Sequence, residues 1–288
     1  MRTLRILIAG CGYVGTALGK RLAVEGHLVW GLRRSPKALP DDIHPLAADL
    51  CTPTTLQILP PALDVIFYMA GASNTSDDAY RSTYVDGLRN LLDTLQEQQQ
   101  HPRRIFMTSS TGVYAQRDGQ WVDEASAARP QHATGQCLIE GERLLFASPF
   151  PATVLRLAGI YGPGRTRLID KVRQGEAVYQ EHPPRYTNRI HRDDCVGALR
   201  YLMLLARPAS LYLGVDYRPI EEGTVLRWLA AQLAVPPPRE QQGNPNPLHS
   251  NKRCRNTRLV ASGYVFRYPT FQQGYSALLA DPAGSPIA

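Results

Sequence analysis

Six residues near the start restrict this chain more than any others: Gly10-Cys11-Gly12-Tyr13-Val14-Gly15, a GxGxxG turn. The turn follows a continuous apolar run, Leu4 to Ala9, which has the character of a strand buried on both faces. It opens a stretch, Tyr13 to Glu25, whose apolar residues Val14, Ala17, Leu18 and Leu22 recur at helical spacing, with Gly26 placed as a C-terminal cap. A second apolar run, His27 to Leu32, completes a strand–helix–strand unit of about thirty residues, the size of a parallel crossover. Each glycine then has its own reason: the tight turn, the close approach of a pyrophosphate, and the packing of helix on strand. The helix N-terminus offers N–H groups and a positive dipole end to phosphates. Gly10, Gly12, Tyr13, Val14 and Gly15 are therefore the expected dinucleotide contacts.

The alternation continues. Pro45 to Leu50 reads as a third strand and Asp64 to Ala70 as a fourth. A long helix is expected over about 78–99, with Leu88, Leu91, Leu92 and Leu95 on one face. Arg104 to Ser109 is the fifth strand, a helix spans about 131–147, and Ala152 to Leu157 is the sixth strand. Strands alternating with helices imply an α/β fold, a doubly wound parallel sheet of Rossmann type. Beyond about residue 160 proline, glycine and arginine thicken (YGPGR, HPPRY, PPPRE, GNPNP), as in a smaller lobe built from insertions. The expected division is a dinucleotide domain at 1–160, a smaller C-terminal substrate lobe at 161–281 whose segments partly return to the first domain, and a tail at 282–288. Pro236 to Pro247 is the expected mobile loop.

Composition excludes several classes. With 43% of the 288 residues apolar, the chain has too much apolar content for disorder, and it carries no run long enough for a membrane span. The start is not a signal peptide, since its short apolar stretch runs straight into glycines. Cys11, Cys51, Cys137, Cys195 and Cys254 stand far apart with no CxxC pair, as reduced thiols of a cytoplasmic protein would, and no metal site is expected. The net charge is +7, and the excess is mostly arginine spread through loops. Dispersed guanidinium groups suit phosphate or carboxylate recognition. No basic helix with interleaved aromatics is present, so a nucleic-acid surface is disfavoured.

About twenty positions after the turn, an acid would bind the ribose hydroxyls of NAD. Leu32-Arg33-Arg34 stands there instead, and two guanidinium groups would pair with a 2′-phosphate. NADP is the expected cofactor and NAD the alternative, unless Arg33 and Arg34 are only a solvated loop. Asp49, after the third strand, is placed to meet the adenine, although an ordinary loop aspartate reads the same.

Further motifs follow in order: AADL at 47–50, YMAG at 68–71, TSSTGVY at 108–114, LRLAGIYGPG at 155–164 and NRIHRDD at 188–194. With GCGYVG these resemble the extended branch of the short-chain dehydrogenase/reductase superfamily, of the NAD-dependent epimerase/dehydratase type. The resemblance covers nearly the whole chain and lies in six motifs in register. It implies a Rossmann domain with a smaller C-terminal lobe that takes substrates such as nucleotide sugars. Carried over by position, Ser110 matches the family's catalytic serine, Asp49 and Leu50 close a cofactor-side motif, and Ala70 and Gly71 match the turn beside the cofactor. Arg156 matches a position near the substrate lobe. His191 and Asp193 lie ahead of a helix expected to begin about Asp194, where Asp193 reads as its cap.

The family's acid–base pair is a tyrosine and a lysine four residues apart on one helix face. Aligned on Gly135 and Glu142, those positions hold Thr134 and Leu138. A threonine hydroxyl cannot titrate near neutral pH, and leucine brings no charge to assist it. Tyr114, His132, Tyr161 and His191 remain as candidate acids, each with a packing or loop reading beside it, and Ser110, Tyr114 and His132 form the candidate catalytic set. Arg156, Arg189 and His191 are the candidate substrate contacts. Arg165, Arg167, Arg185 and Arg192 accompany them, either for an anionic ligand or as a solvated basic face. Three functions remain open: an oxidoreductase or epimerase-like enzyme acting on a small anionic or nucleotide-sugar-like substrate, a non-catalytic NADP-binding sensor or partner-binding protein, and a nucleic-acid binder. The helices at 78–99 and 131–147 match the family's dimer helices, but monomer and homodimer stay undecided.

Overall fold

The first apolar run forms β1 (Arg5–Ala9), whose last four residues are fully buried, as a strand covered on both faces requires. The computed structural model describes residues 2–241 and 250–281. After β1 comes α1 (Tyr13–Val24), which buries Val14, Leu18 and Leu22 and ends at Gly26, where φ is +84°. Then follow β2 (Leu28–Arg33), β3 (His44–Ala47) and β4 (Val65–Tyr68). The helix expected over 78–99 is broken in the middle: α2 (Asp77–Arg81) and α3 (Gly87–Glu97) flank a π-type turn at Ser82–Asp86. Next are β5 (Arg104–Ser110), a short β6 (Gln120–Val122), α4 (Ala133–Ala147) and β7 (Ala152–Leu157).

The remaining elements are shorter. They are β8 (Gly159–Tyr161), α5 (Arg167–Arg173), β9 (Val178–Tyr179), β10 (Tyr186–Thr187), β11 (Arg189–His191), α6 (Arg192–Leu204) and β12 (Leu211–Gly214). The chain then runs through β13 (Ile220–Glu221), α7 (Glu222–Leu233), β14 (Arg239–Glu240), β15 (Lys252–Cys254), α8 (Thr257–Ala261) and α9 (Phe271–Ala280). Within the segment expected to be a mobile loop, β14 pairs in parallel with β9; residues 242–247 of that segment and the tail at 282–288 lie outside the described residues.

Seven strands form the main sheet in the order β12-β7-β5-β4-β1-β2-β3, one more than the sequence suggests, and the added strand is β12. The pairs β1–β2, β1–β4, β2–β3 and β4–β5 are all parallel. Chain order reverses between β4 and β1, the switch point at whose carboxyl side open α/β sheets bind ligands.

The chain divides into two compact units. The first comprises residues 1–113, 129–156 and 196–212; its core includes Leu7, Ile66, Leu91, Leu95 and Met107. The second comprises 114–128, 157–195 and 213–288, with a separate core of Tyr161, Ile169, Val225, Leu229, Phe271 and Tyr275. Among the described residues no helix is long and apolar enough to cross a membrane, and no cluster of three His, Cys, Asp or Glu side chains could hold a metal ion.

Candidate functional site

The glycine turn stands at the carboxyl end of β1, at the switch point. Gly10 has φ of +87°, and a Cβ on it would lie 2.3 Å from both N and Cα of Ala70. Only glycine fits, because the conformation is left-handed and the chain after β4 fills the space a side chain needs. The N–H groups of Gly10 and Cys11 both donate to the Leu32 carbonyl at 3.0 Å, tying the turn to β2. A Cβ on Gly15 would stand 3.0 Å from Ile8 Cγ2, so this glycine lets α1 lie against β1. Gly12 differs. A Cβ there meets nothing closer than the Gly10 carbonyl at 3.9 Å, which leaves bare backbone facing open space.

α1 supplies the electrostatics. Its first helical bond runs from Thr16 N–H to the Gly12 carbonyl at 2.7 Å, and no acid stands in its first turn. The N–H groups of that turn and the positive end of the helix dipole suit an anion. A pyrophosphate fits this cradle on three counts: an exposed glycine backbone, a helix N-terminus, and no acid in the first turn of α1.

Arg33 ends β2 half-buried, and Arg34 follows it exposed. Among the described residues neither forms an ion pair with a carboxylate. Asp49 is more constrained, since its Oδ1 accepts from Cys51 N–H at 3.0 Å. Leu50 is a core residue whose carbonyl accepts from Asn90 Nδ2 at 2.8 Å. Ala70 walls the Gly10 turn, and Gly71 is exposed with open space around it.

Ser110 ends β5. Its Oγ accepts from Gly112 N–H at 3.0 Å, so the hydroxyl keeps its own proton to donate. On α4, Thr134 is half-buried and Leu138 is buried at 4% exposure, while His132 sits exposed at the N-cap with no side-chain bond to the helix end. Tyr114 must be corrected. It is completely buried and its phenol donates to the Asp123 carbonyl at 2.8 Å, which removes it as a proton donor to a substrate.

Arg156 also departs from expectation. Rather than facing a ligand, it forms a buried bidentate pair with Glu142, Nε to Oε1 at 3.0 Å and Nη2 to Oε2 at 2.6 Å. Ser109 Oγ donates to the same Glu142 Oε1 at 2.6 Å. One network thus joins β5, α4 and β7 behind Ser110. The sequence carried a signal for it: an arginine inside the apolar strand ATVLRL and a glutamate on the buried face of α4. Two charges in such places need each other.

Within the second unit, β11 and β8 pair in parallel, Arg189 against Gly159 and His191 against Tyr161, so these side chains share one face. Arg189 and His191 are buried, and Arg189 Nη1 and His191 Nε2 have no hydrogen-bond partner among the described residues. Arg189 Nη2 donates to Thr187 Oγ1 at 2.9 Å. His191 Nδ1 accepts from Asp193 N–H at 3.2 Å, and burial pushes the imidazole pKa down to about 4. Tyr161 stacks on Tyr275 at 4.5 Å, and burial raises its phenol pKa far above the ordinary value. Asp216 is a buried acid pushed up to about 7 by burial, against the pull of Arg189. Helix α6 begins at Arg192, so Asp193 lies within its first turn rather than capping it, and Asp194 ties the helix to the 264–268 segment, accepting from Tyr264 Oη (2.9 Å) and from the N–H groups of Arg267 (2.7 Å) and Tyr268 (2.9 Å). Two of the accompanying arginines are committed to acids, Arg185 to Glu222 and Arg192 to Asp193, while Arg165 and Arg167 are exposed.

Against known proteins, the model of the NAD dependent epimerase/dehydratase family matches residues 6–202. A structure from Methylobacillus flagellatus, provisionally described as an NAD-dependent epimerase/dehydratase, is 37% identical with a TM-score of 0.81, covering 97% of this chain and 98% of that one. A 3-diazoavenalumate denitrifying reductase from Streptomyces sp is 27% identical over 260 residues, 82% of this chain and 84% of its own. MoeE5, solved with UDP-glucuronic acid and NAD, is similar in fold at 20% identity and a TM-score of 0.78, over 94% of this chain and 96% of that one.

Proposed function

The chain belongs to the NAD dependent epimerase/dehydratase family, and from that premise we propose that it is an NADP-linked oxidoreductase or epimerase-like enzyme acting on a small anionic substrate. The observation that carries this reading is the Gly10–Gly15 turn, closed tightly against Ala70 at one glycine and open at Gly12. When bound, the nicotinamide supplies the hydride chemistry. The N-terminus of α1 holds the pyrophosphate, and Arg33 and Arg34 take the 2′-phosphate. Ser110 offers its proton to the substrate oxygen that gains or loses negative charge, having turned its lone pair toward Gly112. The reductase activity in the name of the Streptomyces relative agrees with hydride transfer.

Thr134 and Leu138 at the tyrosine and lysine positions favour a second reading, a protein that binds NADP without turnover, because a buried leucine can neither assist a phenol nor reach a ribose. Titrating the protein with NADPH and NADH by cofactor fluorescence tests the first step. NADPH should bind more tightly, and the Arg33→Ala/Arg34→Ala double variant should lose that preference. Failure of both cofactors to bind at about millimolar concentration, a Kd weaker than about −4 kcal/mol supports, removes both readings. NADPH oxidation under a panel of anionic carbonyl compounds then separates turnover from sensing.

A further inference from the structure

Lys252 is one of four lysines in the chain and the one that is buried, at 5% exposure. Its backbone is held from two directions. β15 pairs in parallel with β6, with Lys252 opposite Gln120. Asn188 grips the strand as a neighbouring peptide would: its Nδ2 donates to the Lys252 carbonyl at 2.8 Å and its Oδ1 accepts from Cys254 N–H at 2.7 Å. The side chain is thereby presented from a fixed point. Its Nζ donates to Ser250 Oγ at 2.8 Å, and among the described residues no carboxylate lies within ion-pairing distance.

The neighbouring cation is treated differently. Arg253 lies over Trp121 at 4.8 Å and Tyr186 at 4.7 Å, and its Nε donates to the Gly119 carbonyl. Among the described residues Lys252 has neither an aromatic face nor an acid. An ammonium with three donors and one neutral partner inside a protein is costly, and burial accordingly pushes its pKa down. A second polar group, just before β6 in the chain, is also unsatisfied. Gln116, whose carbonyl accepts from Asn251 N–H at 2.9 Å, has a buried side-chain oxygen with no protein partner. Buried groups of this kind are otherwise fully paired, so a buried ammonium with a single neutral partner and an unsatisfied acceptor bonded through its backbone to the preceding residue, Asn251, point to a ligand.

We propose that Lys252 is the anion-binding group of the second unit, holding a carboxylate or phosphate oxygen of the substrate on its ammonium beside the Ser250 hydroxyl. This rests on the reading of the chain as an enzyme of anionic substrates and names the residue that holds the anion. Gln116 provides an acceptor for a hydroxyl on the ligand.

Four lysines make the test direct. In full-length protein labelled with 13C-lysine, the four Cε signals are followed while inorganic phosphate is added in one arm and malonate in the other. Lys20→Arg, Lys37→Arg and Lys171→Arg assign the other three signals, so the test survives even if Lys252→Met fails to fold. The Lys252 signal alone should move saturably, and its titration midpoint should rise when the anion is bound. The arm that saturates at lower concentration distinguishes phosphate from carboxylate. Lys252→Met should abolish the response and keep its affinity for NADPH. A Lys252 signal that stays still in both arms, with NADPH binding intact, overturns the inference and leaves the cofactor reading standing. Joint drift of all four signals means non-specific binding and overturns it too. A saturable Lys252 response in a protein that binds no cofactor supports the anion site and defeats the cofactor reading instead.

Discussion

Burial acts on Asp216 and His191 in opposite senses, and both belong to the second unit. The Asp216 carboxyl is raised from 3.8 to about 7, so the native state keeps a proton that the unfolded chain releases. Its contribution to stability therefore falls as pH rises across that window. The His191 imidazole is lowered from 6.5 to about 4, so the native state refuses a proton that the unfolded chain takes up, and stability falls as pH drops across that window. Between about 4 and about 6.5 the two slopes oppose one another, each limited to about 1.4 kcal/mol per pH unit. Relative to wild type, His191→Gln should lose stability as pH rises through this range, and Asp216→Asn should gain it. Urea unfolding at two pH values inside the window checks both signs. Parallel pH profiles for the two variants would contradict the burial account.

Arg156 and Glu142 are the other decisive pair at this scale. Removing one partner strands a buried charge, so Arg156→Met should cost about 3 kcal/mol or more in urea unfolding. The double variant Glu142→Leu/Arg156→Met should recover much of that loss, since it leaves no unpaired charge. Strict additivity of the two single losses would show that the pair is not coupled.

At the scale of elements, the close approach of α4 to the π-type turn is set by one atom. A Cβ on Gly141 would lie 2.2 Å from the Tyr84 carbonyl oxygen, a backbone atom that cannot step aside. Gly141→Ala should thus force the helix outward and destabilise the protein by about 1–3 kcal/mol, read as a lowered Tm. Gly71→Ala, where a Cβ meets nothing within 4 Å, should be close to neutral. The same contact explains what sequence periodicity could not see. Leu88, Leu91, Leu92 and Leu95 announce α3, because a helical face leaves a period in the sequence. The interruption at Ser82–Asp86 packs against α4, and a tertiary contact leaves no such period. β12 escaped for a related reason, being four residues long and set among irregular segments. The parallel alternation of β1 to β5 with helices was legible from short buried apolar runs.

Across the whole molecule, the strand–turn–helix at the start was more legible than the packing of the second unit. The glycine turn announces itself because its chemistry is local: three glycines, one strand and one helix end suffice. Arg156, Arg189, His191 and Tyr114 were read from motif position, which says nothing of whether a side chain faces outward or inward. In the folded protein all four are interior, engaged with Glu142, Thr187, Asp193 and Asp123 respectively. Lys252 carried no motif, and its significance comes only from burial with no acid beside it among the described residues. Family membership fixes the fold and the nicotinamide chemistry to be tested.

The central claim is that the open face of the glycine turn receives the pyrophosphate of NADP. Gly12→Ala tests it directly, because beyond its chain neighbours an added Cβ meets nothing nearer than the Gly10 carbonyl at 3.9 Å, so the methyl fits the free protein and adds bulk on the exposed face of the turn. The measurement is NADPH titration of wild type and variant, with Tm recorded for both. The predicted result is an unchanged Tm and a Kd raised at least about tenfold, about 1.4 kcal/mol. A variant that binds NADPH as wild type does would contradict the claim, since the pyrophosphate could not then sit against Gly12.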